Sequence, residues 1–478
     1  MVIKTFSAED YLSANRERFE AISTYIWEHP ETRYQEFESA RFLADELEKE
    51  GFHVERGVGG IETAFIATFG EGKPVIGFLG EFDALSGLSQ KANSTEQEAL
   101  VPGGVGHGCG HNLLGTGSLA AAYAVKAYFQ ENGIKGTLKF YGCPAEEGGS
   151  GKTFMVREGV FEGLDAAFTW HPSYSTTIMS LSSLANYQVY FRFKGIASHA
   201  ANSPHLGRSA LDAVELMNVG VNYLREHVVQ EARIHYAITN SGGISPNVVQ
   251  SEAEVLYLIR APKVAQVDEI YKRVCKIAEG AALMTETEMT IVFDKACSNY
   301  EPNRVLEEIL YQKLQEAGPI QPTEEDIAFA KGIWDSLSDG EKKNFVSGME
   351  SFGYFGDGSE FEGKFLSDII SDYVASDKVM PGSTDVSDVS WVVPTAQLTA
   401  ATSAIGTPLH TWQMVTQGLS PFAHSGMLLA AESMAAAAIH LYENEDALQA
   451  VKAEHEKKRA KEPYFCPIPK DVKPSAVK

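Results

Sequence analysis

The chain has 478 residues, with 64 Asp and Glu against 40 Lys and Arg, a formal net charge of −24 and a sequence pI of about 5.0. That length exceeds a single hydrophobic core, since domains usually run roughly 100–200 residues, so two domains or more are expected. An apolar fraction of 44% with 22% charged residues argues against a disordered chain or a membrane protein, and the acidic excess disfavours nucleic acid or anionic lipid as a main partner, because either is repelled at long range.

Residues 1–10 lack the charged and apolar regions of a leader, and no run of about 18 consecutive apolar residues is present, which leads us to expect a cytoplasmic protein. From 11 to 50 the apolar residues recur at helical spacing (Phe19, Ile22, Tyr25, Ile26, then Phe42, Leu43, Leu47), with Gly51 as a stop, predicting two helices. Residues 63–69 and 74–79 are short apolar runs bounded by Gly, the second reading as a buried strand. A Gly-rich loop, a small-residue helix over 113–128 and a strand over 136–141 follow, the alternation of an α/β layer. At about 186 the pattern changes: Tyr187, Val189, Phe191 and Phe193 share one face of a strand, and Gln188, Tyr190 and Arg192 the other. A helix over 209–227, a strand over 255–259, a helix over 267–283 and a strand over 289–293 complete an α+β block of the kind inserted into a larger domain.

After about 300 the chain returns to helix and strand. An acidic, aromatic-containing stretch from about 321 to 380 has poor periodicity and reads as a partly helical elaboration. A strand over 397–402 and an Ala-rich helix over 426–441 follow, and the tail 452–478 has no core pattern and is expected to wrap the surface. The five cysteines, at 109, 143, 275, 297 and 466, are too few and too scattered for a disulfide framework.

One cysteine lies in a metal-like setting. In Gly104-Val105-Gly106-His107-Gly108-Cys109-Gly110-His111-Asn112, Cys109 and His111 can reach one cation, the glycines letting the backbone turn tightly between them. Directly after a predicted strand comes Cys143-Pro144-Ala145-Glu146-Glu147-Gly148. Adjacent carboxylates there diverge, so one can coordinate a metal while its neighbour faces a water as general base; taken alone, such a pair is more often a solvated turn. His171, before Pro172, and His410, in Gly406-Thr407-Pro408-Leu409-His410, also stand near strand ends. A single His is usually a satisfied core or surface residue. Several N, O and S donors gathered at strand ends weigh more together.

Taken in order, His107-Gly108-Cys109-Gly110-His111, Pro144-Ala145-Glu146-Glu147, His171-Pro172, Gly195-Ile196-Ala197-Ser198-His199 and Pro408-Leu409-His410 resemble the amidohydrolase branch of the dinuclear metallopeptidases, of aminoacylase and indole-acetyl-amino-acid hydrolase type. The resemblance runs from the first helices to about Leu441. It implies an α/β fold: a three-layer catalytic domain built from 1–185 and 300–478, with an inserted α+β dimerisation (lid) domain over 186–299. Cys109, His111, Glu147, His171 and His410 would hold two divalent cations per chain, Mn²⁺ or Zn²⁺, and Glu146 would activate the water. His424 competes with His410 for the last position; His410 is preferred because it follows a strand closely, whereas His424 abuts the final helix. Asp83 would orient a ligand His, and Asn112 departs from the Asp that many relatives carry there.

His199 would reach across a homodimer to hydrogen-bond the developing oxyanion, and Asn247 would face substrate. An acidic substrate needs a locally positive site, for which Arg260 is chosen, with Lys194, Arg208 and Arg233 as the other candidates. The implied reaction is hydrolysis of an N-acyl amino acid, p-aminobenzoyl-glutamate foremost, to p-aminobenzoate and glutamate, with a homologous second subunit possible. A dipeptidase or general aminoacylase would share these residues. The other alternative, a noncatalytic metal-binding subunit, has no use for the second carboxylate beside the ligand.

Overall fold

A computed structural model describes residues 6–476; residues 1–5, the start of the stretch inspected for a leader, and residues 477–478 lie outside it. The strands are β1 (His53–Arg56), β2 (Phe65–Glu71), β3 (Val75–Glu81), β4 (Gly136–Cys143), β5 (Ala166–Ser173), β6 (Thr177–Ile178), β7 (Ser182–Ser183), β8 (Ala185–Lys194), β9 (Arg233–Asn240), β10 (Glu252–Ala261), β11 (Glu288–Cys297), β12 (Val379–Met380) and β13 (Thr395–Ala401). A seven-stranded sheet has the order β1-β2-β4-β3-β5-β13-β6, and its central strands β4, β3, β5 and β13 run parallel. Such strands are buried on both faces, which is why β3 reads as a continuous apolar run. Ile76, Phe78, Phe140 and Phe168 pack on one side against helices Arg16–Glu28, Phe37–Lys49, His111–Asn132 and Pro421–Glu443. Leu79, Tyr141 and Ala167 turn to the other side, against the short helices Gly151–Arg157 and Val386–Val392. The result is a three-layer α/β unit.

The second sheet, β11-β8-β10-β9, is wholly antiparallel. Tyr187, Val189, Phe191 and Phe193 turn inward as their alternation predicts, and pack with Val255, Tyr257 and Ile259 beneath helices Ala210–Leu224 and Val264–Thr285.

The structure departs from the sequence reading in three places. Three helices, Ala8–Ala14, Arg16–Glu28 and Phe37–Lys49, open the chain instead of two. Strand β9 was not anticipated: it is an edge strand exposed along almost its whole length, so no buried face imposes a period of two. The tail is helical over Glu445–Lys461; only Leu448 and Val451 are buried, too few to make an apolar stripe, and its order comes from the Asn444 cap, an acidic first turn and a basic last turn. The acidic stretch holds two helices, Glu324–Ser336 and Asp339–Glu350, each opened by a capping box. Helix Pro421–Glu443 is long and apolar enough to cross a membrane by composition, but 72% of its most apolar window is buried in the protein, the mark of a core helix.

Asp388 ties these parts together. Its Oδ1 accepts from Ser298 Oγ at 2.6 Å and Tyr464 Oη at 2.9 Å, and its Oδ2 from Thr153 Oγ1 at 2.7 Å and Ser298 N at 2.9 Å. These donors come from the end of the second sheet, a helix of the first layer and the C-terminal segment. Burial pushes the Asp388 carboxyl up to about 6 despite the four donors. The folded protein therefore holds this proton more tightly than the unfolded chain, and stability from this group is full below pH 4 and falls as pH rises to about 6. The loss amounts to about 3 kcal/mol. In urea unfolding of wild type and Asp388→Asn in parallel, the difference between the two should change by about that amount over this window and be constant above pH 7.

Candidate active site

The residues that can do chemistry gather beyond the C-terminal ends of β3, β4, β5 and β13, where open α/β sheets present ligand sites. The Gly-rich loop runs into helix His111–Asn132. Gly110 sits there at φ 76°, and a Cβ would come within 3.0 Å of Pro172 and Met414 side-chain atoms; only glycine lets Cys109 and His111 turn toward one centre. The Glu146–Gly149 turn leaves β4 through Ala145 at φ 61°, and His410 is itself at φ 61°. Left-handed non-glycine residues of this kind concentrate at functional sites.

The ligand atoms of Cys109, His111 and His171 lie within 4.8 Å of one another, and so do those of Cys109, Glu147 and His410. Cys109 belongs to both groups, so two cations can sit side by side. Cys109 Sγ is 3.4 Å from His171 Nε2, and His410 Nε2 is 3.1 Å from Glu147 Oε2. Tautomers follow from the partners. His171 Nδ1 faces the Pro172 carbonyl at 2.8 Å and His111 Nδ1 faces Asp83 Oδ1 at 2.9 Å. Both partners only accept, so each Nδ1 carries the hydrogen and each Nε2 turns a lone pair to the centre. His111 Nε2 and Glu147 Oε1 are buried without a hydrogen-bond partner, the groups a cation would satisfy. Thiolate, imidazole and carboxylate together fit a divalent transition metal.

Asp83 also accepts the Glu147 backbone N–H through Oδ2, at 2.9 Å, and so fixes two candidate ligands at once. A third group, Glu81, His111 and Glu146, adjoins the first. Glu81 Oε2 lies 3.2 Å from His111 Nε2, off the line a hydrogen bond needs. Its Oε1 pairs at 2.6 Å with the fully buried Lys152 ammonium, which Asp385 meets at 2.7 Å. Lys152 gives no sign of this role in the sequence, because a lysine in Gly-Lys-Thr carries no mark of complete burial. Burial, then the charges of Glu81, Asp385 and Glu147, hold the Glu146 carboxyl well above the usual carboxylate range; a neighbouring cation acts in the opposite direction.

The cluster opens into a pocket of about 400 Å³, within the range of small-molecule sites. Met179, Phe352 and Met380 give it an apolar side, Phe352 lying 5.7 Å from the His171 ring. Asn186, Arg260 and Lys295 reach it from the second sheet. A larger cavity, about 1330 Å³, lies between the second sheet and residues 464–476, but no group of metal donors adjoins it among the described residues. Donor chemistry, not size, places the site.

Several predicted residues stand elsewhere. Within one chain His199 and Asn247 are exposed and do not line this pocket; His199 Nδ1 accepts from the backbone of Ala201 and Asn202, and Ala200 N donates to the Asn247 carbonyl. Their loops lie at the Lys194 end of the second sheet, opposite the end where Asn186, Arg260 and Cys297 are paired. His424 is buried 3.8 Å from Glu20. His107 bonds the Ile26 carbonyl, and the Asn112 amide donates to Ser23 and Gly418, so both face the helical layer. Arg208 pairs with Glu286, and Arg233 and Lys194 are exposed, so of the four cations considered Arg260 alone lines the pocket.

Residues 77–361 match the family described as peptidase family M20/M25/M40. Over 474 residues the chain is 55% identical to one of the subunits of p-aminobenzoyl-glutamate hydrolase of Escherichia coli (strain K12), covering 98% of both chains. Xaa-Arg dipeptidase of Mus musculus is 33% identical over 291 residues, 58% of this chain and 63% of that protein. Among solved structures, the aminobenzoyl-glutamate utilization protein from Klebsiella pneumoniae shares the fold with a TM-score of 0.61 at 17% identity, over 91% of this chain and 98% of that one.

The fold and donor set define a metal-dependent hydrolase acting on amide bonds. The chain belongs to peptidase family M20/M25/M40.

Removing the Asp83 carboxylate frees the His111 ring and the Glu147 backbone together. In Asp83→Ala, affinity for Zn²⁺ or Mn²⁺ should fall 10–100-fold, the usual effect of losing such a partner, as measured by metal titration of the chelator-stripped protein.

Proposed function

We propose that the chain hydrolyses N-acyl amino acids, with p-aminobenzoyl-glutamate as substrate and p-aminobenzoate and glutamate as products. The observation that carries this reading is the 55% identity, sustained over 98% of the chain, to the Escherichia coli hydrolase of that name, together with a pocket whose walls suit both halves of such a molecule. Cys109, His111, Glu147, His171 and His410 hold two divalent cations, Zn²⁺ or Mn²⁺. Bound there, the cations polarise the amide carbonyl and lower the pKa of water. Glu146, free of any ion-pair partner among the described residues, takes a proton from the water as its oxygen adds to the carbonyl carbon. When the carbon–nitrogen bond breaks, Glu146 returns that proton to the leaving nitrogen.

The apolar side formed by Met179, Phe352 and Met380 receives the aromatic acyl group, and Arg260 receives a carboxylate. Two cationic side chains in the pocket, Arg260 and Lys295, disfavour the second reading, a dipeptidase taking arginine. A homodimer through the second sheet brings His199 and Asn247 to the partner's site; Ile196, Leu206, Ile244 and Val248, in the same loops, are large, apolar and exposed, Ile244 completely, as an interface surface is. The Escherichia coli relative is named as one subunit of its hydrolase, which supports a heteromeric assembly as well.

Release of p-aminobenzoate by the Mn²⁺- or Zn²⁺-reconstituted protein tests the reading, against a panel of N-acyl amino acids and dipeptides. Preferential turnover of p-aminobenzoyl-glutamate supports it; preference for another compound replaces the substrate and keeps the reaction. Glu146→Gln should lower kcat by roughly 10²–10⁴-fold with metal content unchanged, and undiminished turnover removes Glu146 from its role. Phe352→Ala should raise KM for the aromatic substrate about 2–10-fold, the worth of one ring contact, while leaving KM for N-acetyl-glutamate alone.

A further inference from the structure

The second sheet meets the pocket along one face of β10, β8 and β11. Arg260 and Cys297 are the register partners of Asn186 on either side, and Lys295 is opposite Gln188 in the next row. Strict alternation would put Phe293, Lys295 and Cys297 on the same face of β11. A bulge between Phe293 and Lys295 prevents it. Phe293, opposite Val189, packs edge-on against Tyr187 at 5.3 Å and Tyr271 at 6.0 Å on the helix side. Beyond the bulge, Lys295 and Cys297 line the pocket.

The extra residue, Asp294, anchors this arrangement. Its carboxylate pairs with Arg33 at 3.1 Å and accepts from Gln188 Nε2 at 2.7 Å. Arg33 also donates to the Gly148 carbonyl, in the turn that carries Glu146 and Glu147. The bulge is thus bolted to the acidic pair, and the charge of Asp294 is already matched by Arg33.

Lys295 itself is 8% exposed and has no hydrogen-bond or ion-pair partner among the described residues. Arg260 has no carboxylate partner either; its Nε is buried without a bond, and Nη1 reaches only Ser383 Oγ, at 3.5 Å. Of the pocket's carboxylates, Glu81 and Asp385 share Lys152 and Glu147 meets His410, while Glu146, the proposed base, pairs with neither Lys295 nor Arg260 among the described residues. A buried cation is costly unless something pairs with it. Two cationic side chains in one pocket, neither with a carboxylate partner among the described residues, call for a ligand with two anionic groups.

We propose that Lys295 is the residue that selects an acidic amino acid, its ammonium receiving the side-chain carboxylate of the substrate while Arg260 receives the α-carboxylate. This rests on the reading of the site as an acyl-amino-acid hydrolase and adds the source of its preference for a dicarboxylic leaving group. The cations of the metal centre serve the amide; Lys295 and Arg260 serve the amino acid beyond it.

The test compares p-aminobenzoyl-glutamate with its neutral isostere p-aminobenzoyl-glutamine, using wild type, Lys295→Met and Lys295→Arg. Lys295→Met keeps the apolar stem and should fold with unchanged thermal stability. Its kcat/KM for the glutamate compound should fall about 100-fold, mainly through KM, and for the glutamine compound less than about 3-fold, since loss of a buried charge partner is felt only by the charged ligand. Lys295→Arg should retain most of the discrimination. Equal losses on both compounds, or none, would overturn the assignment and leave the hydrolase reading standing. Titration of wild type with free L-glutamate and L-glutamine gives a readout independent of turnover and of the variants: tighter glutamate binding by 10-fold or more supports the assignment, and equal affinity overturns it. Wild type that turns over other acyl amino acids but neither of these compounds overturns both the substrate and Lys295's role.

Discussion

One carboxylate, Asp83, organises the chemical end of this molecule. It leaves β3 buried, and with one oxygen accepts the His111 ring N–H while the other accepts the Glu147 backbone N–H. His111 opens a helix and Glu147 sits in a turn after a different strand, so nothing local relates them. The carboxylate does, and it sets the His111 tautomer as well. Glu36 holds the same turn from the other side, accepting the Ala145 N–H at 3.0 Å and the Thr63 hydroxyl at 3.1 Å. Backbone kept in left-handed conformations at Ala145 and Ser150 persists only under such support.

The concentration of carboxylates has an electrostatic consequence. Glu36, Glu81, Asp83, Glu146, Glu147 and Asp385 crowd the centre of a protein whose net charge is −24. One buried ammonium, Lys152, neutralises part of this by pairing with Glu81 and Asp385. The remainder is an excess of negative charge and lone pairs converging on Cys109, His111 and His171. Divalent cations are the natural complement of that excess, because buried like charges otherwise protonate. Burial and the charge of Asp83 push Glu36 up to about 8, the same pressure seen away from the ligands.

Much of the centre was legible from residue types and spacing. Cys109 and His111 stand in a glycine loop, the acidic pair follows β4, His171 lies near the end of β5 and His410 comes after β13, so residue type and strand ends drew attention to four separated segments, while the family resemblance supplied the ligand set itself. The rest escaped for identifiable reasons. Lys152 and Glu81 acquire meaning only through each other, across 71 residues of sequence. Lys295 reaches the pocket because a bulge changes the parity of β11, and periodicity read along a strand assumes no bulge. Phe352 belongs to a stretch without helical rhythm at that point. His199 and Asn247 show the converse: sequence resemblance supplied a role, whereas one chain alone leaves both exposed.

The two sheets divide the labour of the site. Among the described residues, every group that could hold a cation or carry the proton comes from the seven-stranded unit, from strands β3 and β5 or from the loops, turns and helix start that follow its central parallel strands, which packed layers fix on both faces. The apolar wall is shared between Met179, just after β6, and Phe352 and Met380 of the acidic stretch, and the positive wall comes from the antiparallel sheet, joined to the first layer through polar ties such as Arg33 to Asp294 and Asp388 to Ser298. Metal chemistry tolerates little displacement, whereas recognition of an acyl group or a carboxylate can be altered one side chain at a time. A rigid reaction centre faced by separately anchored recognition walls therefore allows the substrate to change while the amide hydrolysis stays the same.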